Sequence, residues 1–270
     1  MKRTFQNIFL INFYILFFAV INSCGTSSEL IMKSSKNINK NEKSLVSSFS
    51  LNPTVIPLRV EKDTINNRLK RIYGNFQHPN NPVFSLQYDF GFTNYYNLGG
   101  GFDLSFLGGT IFLNNKIELT GFNQKDKYKK LRVSYYNKTS VSRGMPLIVA
   151  NENNIRVAHF EMGNYFLIGL FIKNFELIII PHLDFNHLIS EKNIDVWDFK
   201  NNEKINGVIE NHTLSYSNYG INLACRTKNN VLFEIGIQYL NTDKELDDIY
   251  SKSRYQFMFG IGYDFTKLLK

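Results

Sequence analysis

Two stretches of the chain alternate strictly. In PVFSLQYDFGFT, Phe84, Leu86, Tyr88, Phe90 and Phe92 alternate with Ser85, Gln87, Asp89, Gly91 and Thr93. In YQFMFGIGYDF, Tyr255, Phe257, Phe259, Ile261, Tyr263 and Phe265 alternate with Gln256, Met258, Gly260, Gly262 and Asp264. A period of two over such a length predicts strands with one apolar and one polar face. Six further strands are predicted between them: two around 99 to 124 joined at Asn114 and Asn115, a pair at 155–172 and 175–189 joined at Lys173 and Asn174, and a pair at 212–226 and 231–241 joined through 228–230. Asn tolerates positive φ, which suits tight hairpin turns. The segment LRVSYYNKTS at 131–140 fits a hairpin inside a long link, an extension of the third strand, or part of a ten-strand set. The expected fold is all-β: a closed antiparallel up-and-down transmembrane β-barrel of about eight strands, with ten possible, over residues 82–270.

The run FLIGLFIKNFELIII, Phe166 to Ile180, is the one place that suggests a membrane helix instead. Such a helix would carry Lys173 and Glu176 near the bilayer centre, at about 2.5–3.5 kcal/mol for the lysine alone. Two strands meeting at Lys173 and Asn174 avoid that cost. Phe166, Ile168, Leu170 and Ile172 then face lipid from one strand, and Phe175, Leu177, Ile179 and Pro181 from the next. Short links alternate with long ones along the chain, as in outer-membrane barrels with short periplasmic turns and long outer loops. The short link at 94–97 departs from this pattern. Residues 124–153 and 191–210 are the expected outer loops, offering surface to other envelope proteins.

An apolar face can point outward to lipid or inward around a ligand, so the polar face decides. It holds Ser85, Gln87, Asp89, Asp103, Glu118, Asn218, Asn222, Glu234, Gln238, Asp264 and several glycines. Glycines and carboxylates suit a narrow lumen better than a solvated exterior, where Lys and Glu would dominate. An eight-strand interior is filled by side chains, so no porin-sized pore is expected. Hydrocarbon leaves no partner for an open sheet edge, and closure is expected to join the strand at Pro82 to the strand ending near Phe265. The alternative is a soluble lipocalin-like lipoprotein that binds an apolar ligand inside the barrel.

The N-terminus adds an address. Lys2 and Arg3 precede an apolar run from Ile8 to Ile21, and Ser23, Cys24 and Gly25 follow, as in an export signal over residues 1–23. Ile21, Ser23 and Cys24 match a bacterial lipoprotein signal, which makes Cys24 the expected lipidation site; a plain secretory signal cut nearby and a retained helix are the other readings. Cys225 is the only other cysteine, so no disulfide framework is expected. Residues 24–81, rich in Ser, Lys and Asn, are read as a flexible periplasmic tether. The formal net charge of +8 is scattered, without a basic helix or nucleic-acid motif, so outer-membrane lipid and not nucleic acid is the expected partner.

Candidate chemistry is sparse. His159, Glu161, His182 and Asp184 lie on neighbouring strands and are expected to form a polar cluster in the lumen. Two histidines with two carboxylates are zinc-type ligands, but their spacing matches no metal motif, and mutual hydrogen bonding is the plainer reading. No Gly-x-Ser-x-Gly, paired-cysteine or phosphate-loop motif occurs, so neither an enzyme nor a cofactor is expected. The acidic stretch TDKELDD, 242–248, reads as a solvated outer loop.

The segments FEMGNYFLIGLFIKNFELIIIPHLDFNHLIS and YGINLACRTKNNVLFEIGIQYLNTDKELDDIYSKSRYQFMFGIGYDF resemble the PorT-like outer-membrane beta-barrel domain family. That family shows an apolar strand, a tight turn and a last strand closing on Gly-Tyr-aromatic-Phe; here the last strand closes on Gly262, Tyr263, Asp264 and Phe265, with Asp264 in the aromatic place. The resemblance implies a small bacterial outer-membrane barrel and carries no catalytic signature.

Overall fold

The computed structural model describes residues 30–52, 59–63, 68–72, 81–105, 108–120, 131–144, 155–173, 175–198, 203–241 and 255–268. The signal segment 1–23, Cys24 and the acidic stretch 242–248 lie outside these residues.

Strands β1 (Lys43–Asn52), β4 (Asn81–Gly91), β5 (Tyr96–Ser105), β6 (Gly108–Glu118), β7 (Leu131–Gly144), β8 (Ile155–Ile172), β9 (Phe175–Asp198), β10 (Glu203–Thr227), β11 (Val231–Asn241) and β12 (Tyr255–Asp264) form one closed barrel of ten strands. Every pair in it is antiparallel. A separate hairpin, β2 (Arg59–Asp63) with β3 (Arg68–Ile72), stands between β1 and β4 in the chain.

The two strands beyond eight are β7, which covers the ambiguous stretch at 131–140, and β1, which lies in the stretch expected to be a tether. That expectation is overturned for residues 43–52. Val46 pairs with Asp264 and Ser50 with Gly260 on one side, and Lys43 pairs with Phe90 and Asn52 with Asn81 on the other. The strand at Pro82 therefore does not close on the last strand, because β1 intervenes. The alternation in KSLVSSFSLN is real but diluted. Ser44, Val46, Ser48, Ser50 and Asn52 are buried toward the lumen, while the outer face mixes Leu45, Phe49 and Leu51 with Lys43 and Ser47.

A second correction concerns Asn114 and Asn115, which are mid-strand in β6 and not a turn. Asn114 is buried in the lumen and accepts a hydrogen bond from the Lys33 ammonium, so the residue type reflects the polar interior. The expected outer loops change too. Residues 124–153 are not one loop, since β7 runs through them from one barrel end to the other. Residues 191–210 are largely the continuation of β9 and β10, paired as far as Asp198 with Glu203 and shifted in register between Ile205 and Val208.

The turn at Lys173 stands as expected: Ile172 pairs with Phe175, and Lys173 takes a φ of 40°. Asn230, with a φ of 65°, serves the β10–β11 turn. These turns and the 92–95 link share one end of the barrel, here the turn end. The long β9–β10 extension belongs to the other, as do Asn52 and Asn81, the last and first residues of β1 and β4.

Burial follows the period of two. On β12, Gln256, Met258, Gly260, Gly262 and Asp264 are buried, and Tyr255, Phe257, Phe259, Ile261 and Tyr263 are exposed. The same side of the sheet elsewhere exposes Phe84, Leu113, Phe166, Leu177 and Ile235. A water-soluble barrel is built the other way round, with its large apolar side chains inside.

Candidate functional site

The lumen divides into two halves that are filled differently. At the turn end it holds the chain's own residues Leu30 to Glu42, which join no sheet ladder. Ten strands enclose more space than eight, and this segment occupies it. Residues 30–42 of the expected tether are thus an internal plug.

Apolar contacts anchor the segment's start. Leu30 and Met32 pack with Val46, Leu232 and Met258, while Ile31 packs with Tyr136, Tyr165, Leu167, Ile178, Ile180 and Ala224. Polar wall residues then hold its main chain. Glu234 accepts from Ile31 N at 3.2 Å and Met32 N at 2.7 Å, Glu176 from Ser35 N at 2.8 Å, and Glu118 from Asn37 N at 3.0 Å. Lys116 Nζ donates to the carbonyls of Ser34 at 2.9 Å and Lys36 at 2.7 Å, and Ser134 Oγ donates to that of Ser35. Backbone groups buried without partners cost free energy, and here wall side chains take the place of a neighbouring strand.

Side chains of the segment are met as well. Lys33 Nζ lies 2.6 Å from Asp89 Oδ1 and 4.6 Å from the Tyr136 ring centroid, and the Ser34 and Ser35 hydroxyls donate to Glu176. Wall glycines clear the path. A Cβ on Gly169 would stand 2.0 Å from Ser35 Oγ, and one on Gly260 would stand 2.4 Å from Met32 Cε. Met32 itself takes a φ of 49°, unusual for a large side chain, with the Glu234 carboxylate bonded to its amide.

The segment leaves the lumen at the turn end and reverses into β1. Asn41, with a φ of 64°, donates from its amide to Gly91 O at 2.7 Å, and Gly91 N donates to Glu42 O at 2.9 Å. Beside it lies a cavity of about 360 Å³ lined in part by Lys36, Asn37, Ser44, Asp89, Arg226 and Asp264.

In the other half wall side chains pair with one another. His182 Nδ1 lies 2.8 Å from Asp184 Oδ2, with the Tyr165 ring stacked on His182 at 5.5 Å between centroids. Ser140 Oγ donates to Glu161 at 3.0 Å, His159 Nε2 meets Asn186 Oδ1 at 2.9 Å, and Lys138 pairs with Asp103 at 3.0 Å. His159, Glu161, His182 and Asp184 are all buried on the lumenal face of β8 and β9, as expected, but they divide among separate partners. Among the described residues no three His, Cys, Asp or Glu side chains converge to hold a metal ion.

The alternation in the sequence placed Asp89, Glu118 and Glu234 in the lumen. Lys116 and Glu176 were missed, although both keep the polar phase of their strands: Lys116 stands between Asn114 and Glu118, and Glu176 alternates with exposed Phe175 and Leu177. Lys33 gave no signal, since nothing periodic surrounds it.

No family model matches the chain, so the PorT-like resemblance stands on pattern alone. No curated protein matches it either. Among solved structures, the chain is similar to Ail, the attachment invasion locus protein of Yersinia pestis, at 14% identity and a TM-score of 0.26 over 84% of this chain and 99% of that one. The same protein in complex with the heparin analogue sucrose octasulfate matches at 12% identity and a TM-score of 0.28, over 84% of this chain and 99% of that one. The N-terminal beta-barrel domain of Pseudomonas aeruginosa OprF matches at 7% identity and a TM-score of 0.30, over 83% of this chain and 98% of that one. The fold assignment rests on the strand ladder itself.

Proposed function

We propose that this chain is an integral barrel of the bacterial outer membrane, non-enzymatic, with a structural or interaction role. The observation that carries this is the inversion of its two faces, apolar outside and polar within. Such an exterior in water would expose far more contiguous apolar surface than a soluble monomer tolerates. In a bilayer it is the solvated face, and the closed ladder presents no open sheet edge to lipid. Aromatic pairs toward the rims support the same placement: Tyr239 packs with Tyr219 and Tyr255 toward one end, and Tyr263 packs with Phe265 at the turn end. Tyrosines and other aromatics favour the membrane–water boundary. A lipocalin-like reading requires an apolar chamber, whereas this lumen is polar and holds the chain's own residues.

The links at 92–95, at Lys173 and at 228–230 are short, and on that ground we set the turn end in the periplasm, with the β9–β10 hairpin on the outer side as the surface for envelope partners. Acylation of Cys24 belongs to the proposal on the strength of Ile21, Ser23 and Cys24 alone, and intact-mass measurement of the mature chain checks it.

The decisive experiment uses neighbouring residues of β12. Phe257 is 71% exposed and Met258 3%. A fluorophore on Phe257→Cys, in a Cys24→Ser/Cys225→Ser chain reconstituted in vesicles, is expected to be quenched by brominated lipid, and one on Met258→Cys is not. Equal quenching of the two, or quenching at 258 alone, refutes the membrane reading.

A further inference from the structure

We propose that the turn-end half of the lumen is a receptor for an extended peptide, read chiefly through its main chain, with residues 30–42 as an exchangeable occupant supplied in cis.

No strand pair of the barrel includes the occupant: residues 30–40 join no strand ladder, and the main-chain bonds of Asn41 and Glu42 to Gly91 lie at its exit into β1. The wall, in contrast, is shaped for it. Gly169 and Gly260 would clash with it if they carried side chains, and so would Gly91, where a Cβ would stand 2.1 Å from Asn39 O.

Recognition is directed at groups that every peptide has. Glu234, Glu176 and Glu118 take amides, and Lys116 and Ser134 take carbonyls. Side-chain selectivity enters at few positions: an apolar stretch at 30–32, a cation facing Asp89, and hydroxyls facing Glu176. An emptied site would present the carboxylates of Asp89, Glu118, Glu176 and Glu234 against the cations Lys116 and Arg132. The ligand class is therefore an extended, basic, hydroxyl-bearing peptide led by apolar residues. Residues 30–42 fit it, with Lys33, Lys36 and Lys40 along their length.

Exchange is tested on the full chain in detergent, so its outcome does not depend on the membrane reading. Ile31→Asp/Met32→Asp drives the cis segment out through its apolar anchors while leaving the wall intact, and Lys33→Glu, which sets like charge against Asp89, is a second opening. Heat-modifiable gel mobility establishes that each barrel is folded. A fluorescent peptide of residues 30–42 is then titrated and followed by anisotropy. The opened chains are expected to bind it saturably and at least about tenfold more tightly than the parent, whose own segment competes at high effective concentration. Adding Gly169→Leu abolishes this binding, and Ser140→Ala, which touches only the Glu161 contact in the other half of the lumen, preserves it. Folded barrels of both opened variants that fail to bind the peptide, or binding indifferent to Gly169→Leu, overturn the proposal.

Discussion

The two halves of the lumen contain similar residues and use them differently. Toward the β9–β10 extension, Asp184 meets His182, Glu161 meets Ser140 and Asp103 meets Lys138, each within the wall. At the turn end, Glu234, Glu176, Glu118 and Lys116 meet the main chain of an extended segment that belongs to no sheet. Composition cannot separate these uses. What separates them is whether a polar side chain faces the wall alone or also a segment running along the barrel interior; Glu118 and Glu234 bond the segment while keeping Arg132 and Asn222 as wall partners.

The comparison can be broken one residue at a time, with amide hydrogen exchange over 30–42 and over β8–β9 as paired readouts. The largest effect is expected from Lys33→Ala, which strands the buried Asp89 carboxylate. Breaking a buried pair costs about 3–5 kcal/mol, so protection over 30–42 should collapse while β8–β9 changes little. Glu234→Gln comes next. It keeps shape but removes the charge from the bonds to Ile31 and Met32, and protection of those amides should fall by about 1–3 kcal/mol.

Asp184→Asn reverses the pattern. It disturbs the His182 contact in the other half, with an expected loss of about 1–2 kcal/mol in β8–β9 and intact protection over 30–42. Parallel losses in both regions would show that the halves are coupled and would erase the distinction. The smallest effect belongs to Arg226→Ala. Its pair with Asp264 is partly open to solvent, with side chains 25% and 10% exposed, and pairs of that kind contribute about 0–1 kcal/mol.

Much of the wall was legible in the sequence because a membrane barrel writes its two faces into alternate residues. β4 and β12 each carry a clean alternation, and their exposed and buried positions follow it; at the Lys173 hairpin exposure alternates too, but lumenal Leu167, Ile178 and Ile180 are apolar and pack on Ile31. β1 was hidden by serines on both faces: in KSLVSSFSLN the outward Ser47 and the lumenal Ser44, Ser48 and Ser50 blur the contrast. Asn114 was mistaken for a turn because asparagine serves turns and polar interiors equally well.

The N-terminal segment was illegible for a deeper reason. Its amides and carbonyls do much of the bonding, and main-chain recognition leaves no side-chain pattern to read. The candidate cluster shows the converse. His159, Glu161, His182 and Asp184 were visible as lumenal, but their partners, Asn186 for His159 and Ser140 for Glu161, depend on pairing that only the folded barrel supplies.

The central claim is that residues 30–42 run inside the barrel. Ser35 and Gly169 face one another there, with a Cβ on Gly169 placed 2.6 Å from Ser35 Cβ. Gly169 leaves no room for a partner thiol, so the test uses Ser35 alone, which is buried. In a Cys24→Ser/Cys225→Ser chain carrying Ser35→Cys, the thiol should stay closed to a water-soluble maleimide in the folded, heat-modifiable barrel and react once the barrel is unfolded. A folded barrel whose thiol at position 35 labels as fast as in the unfolded chain would contradict the account.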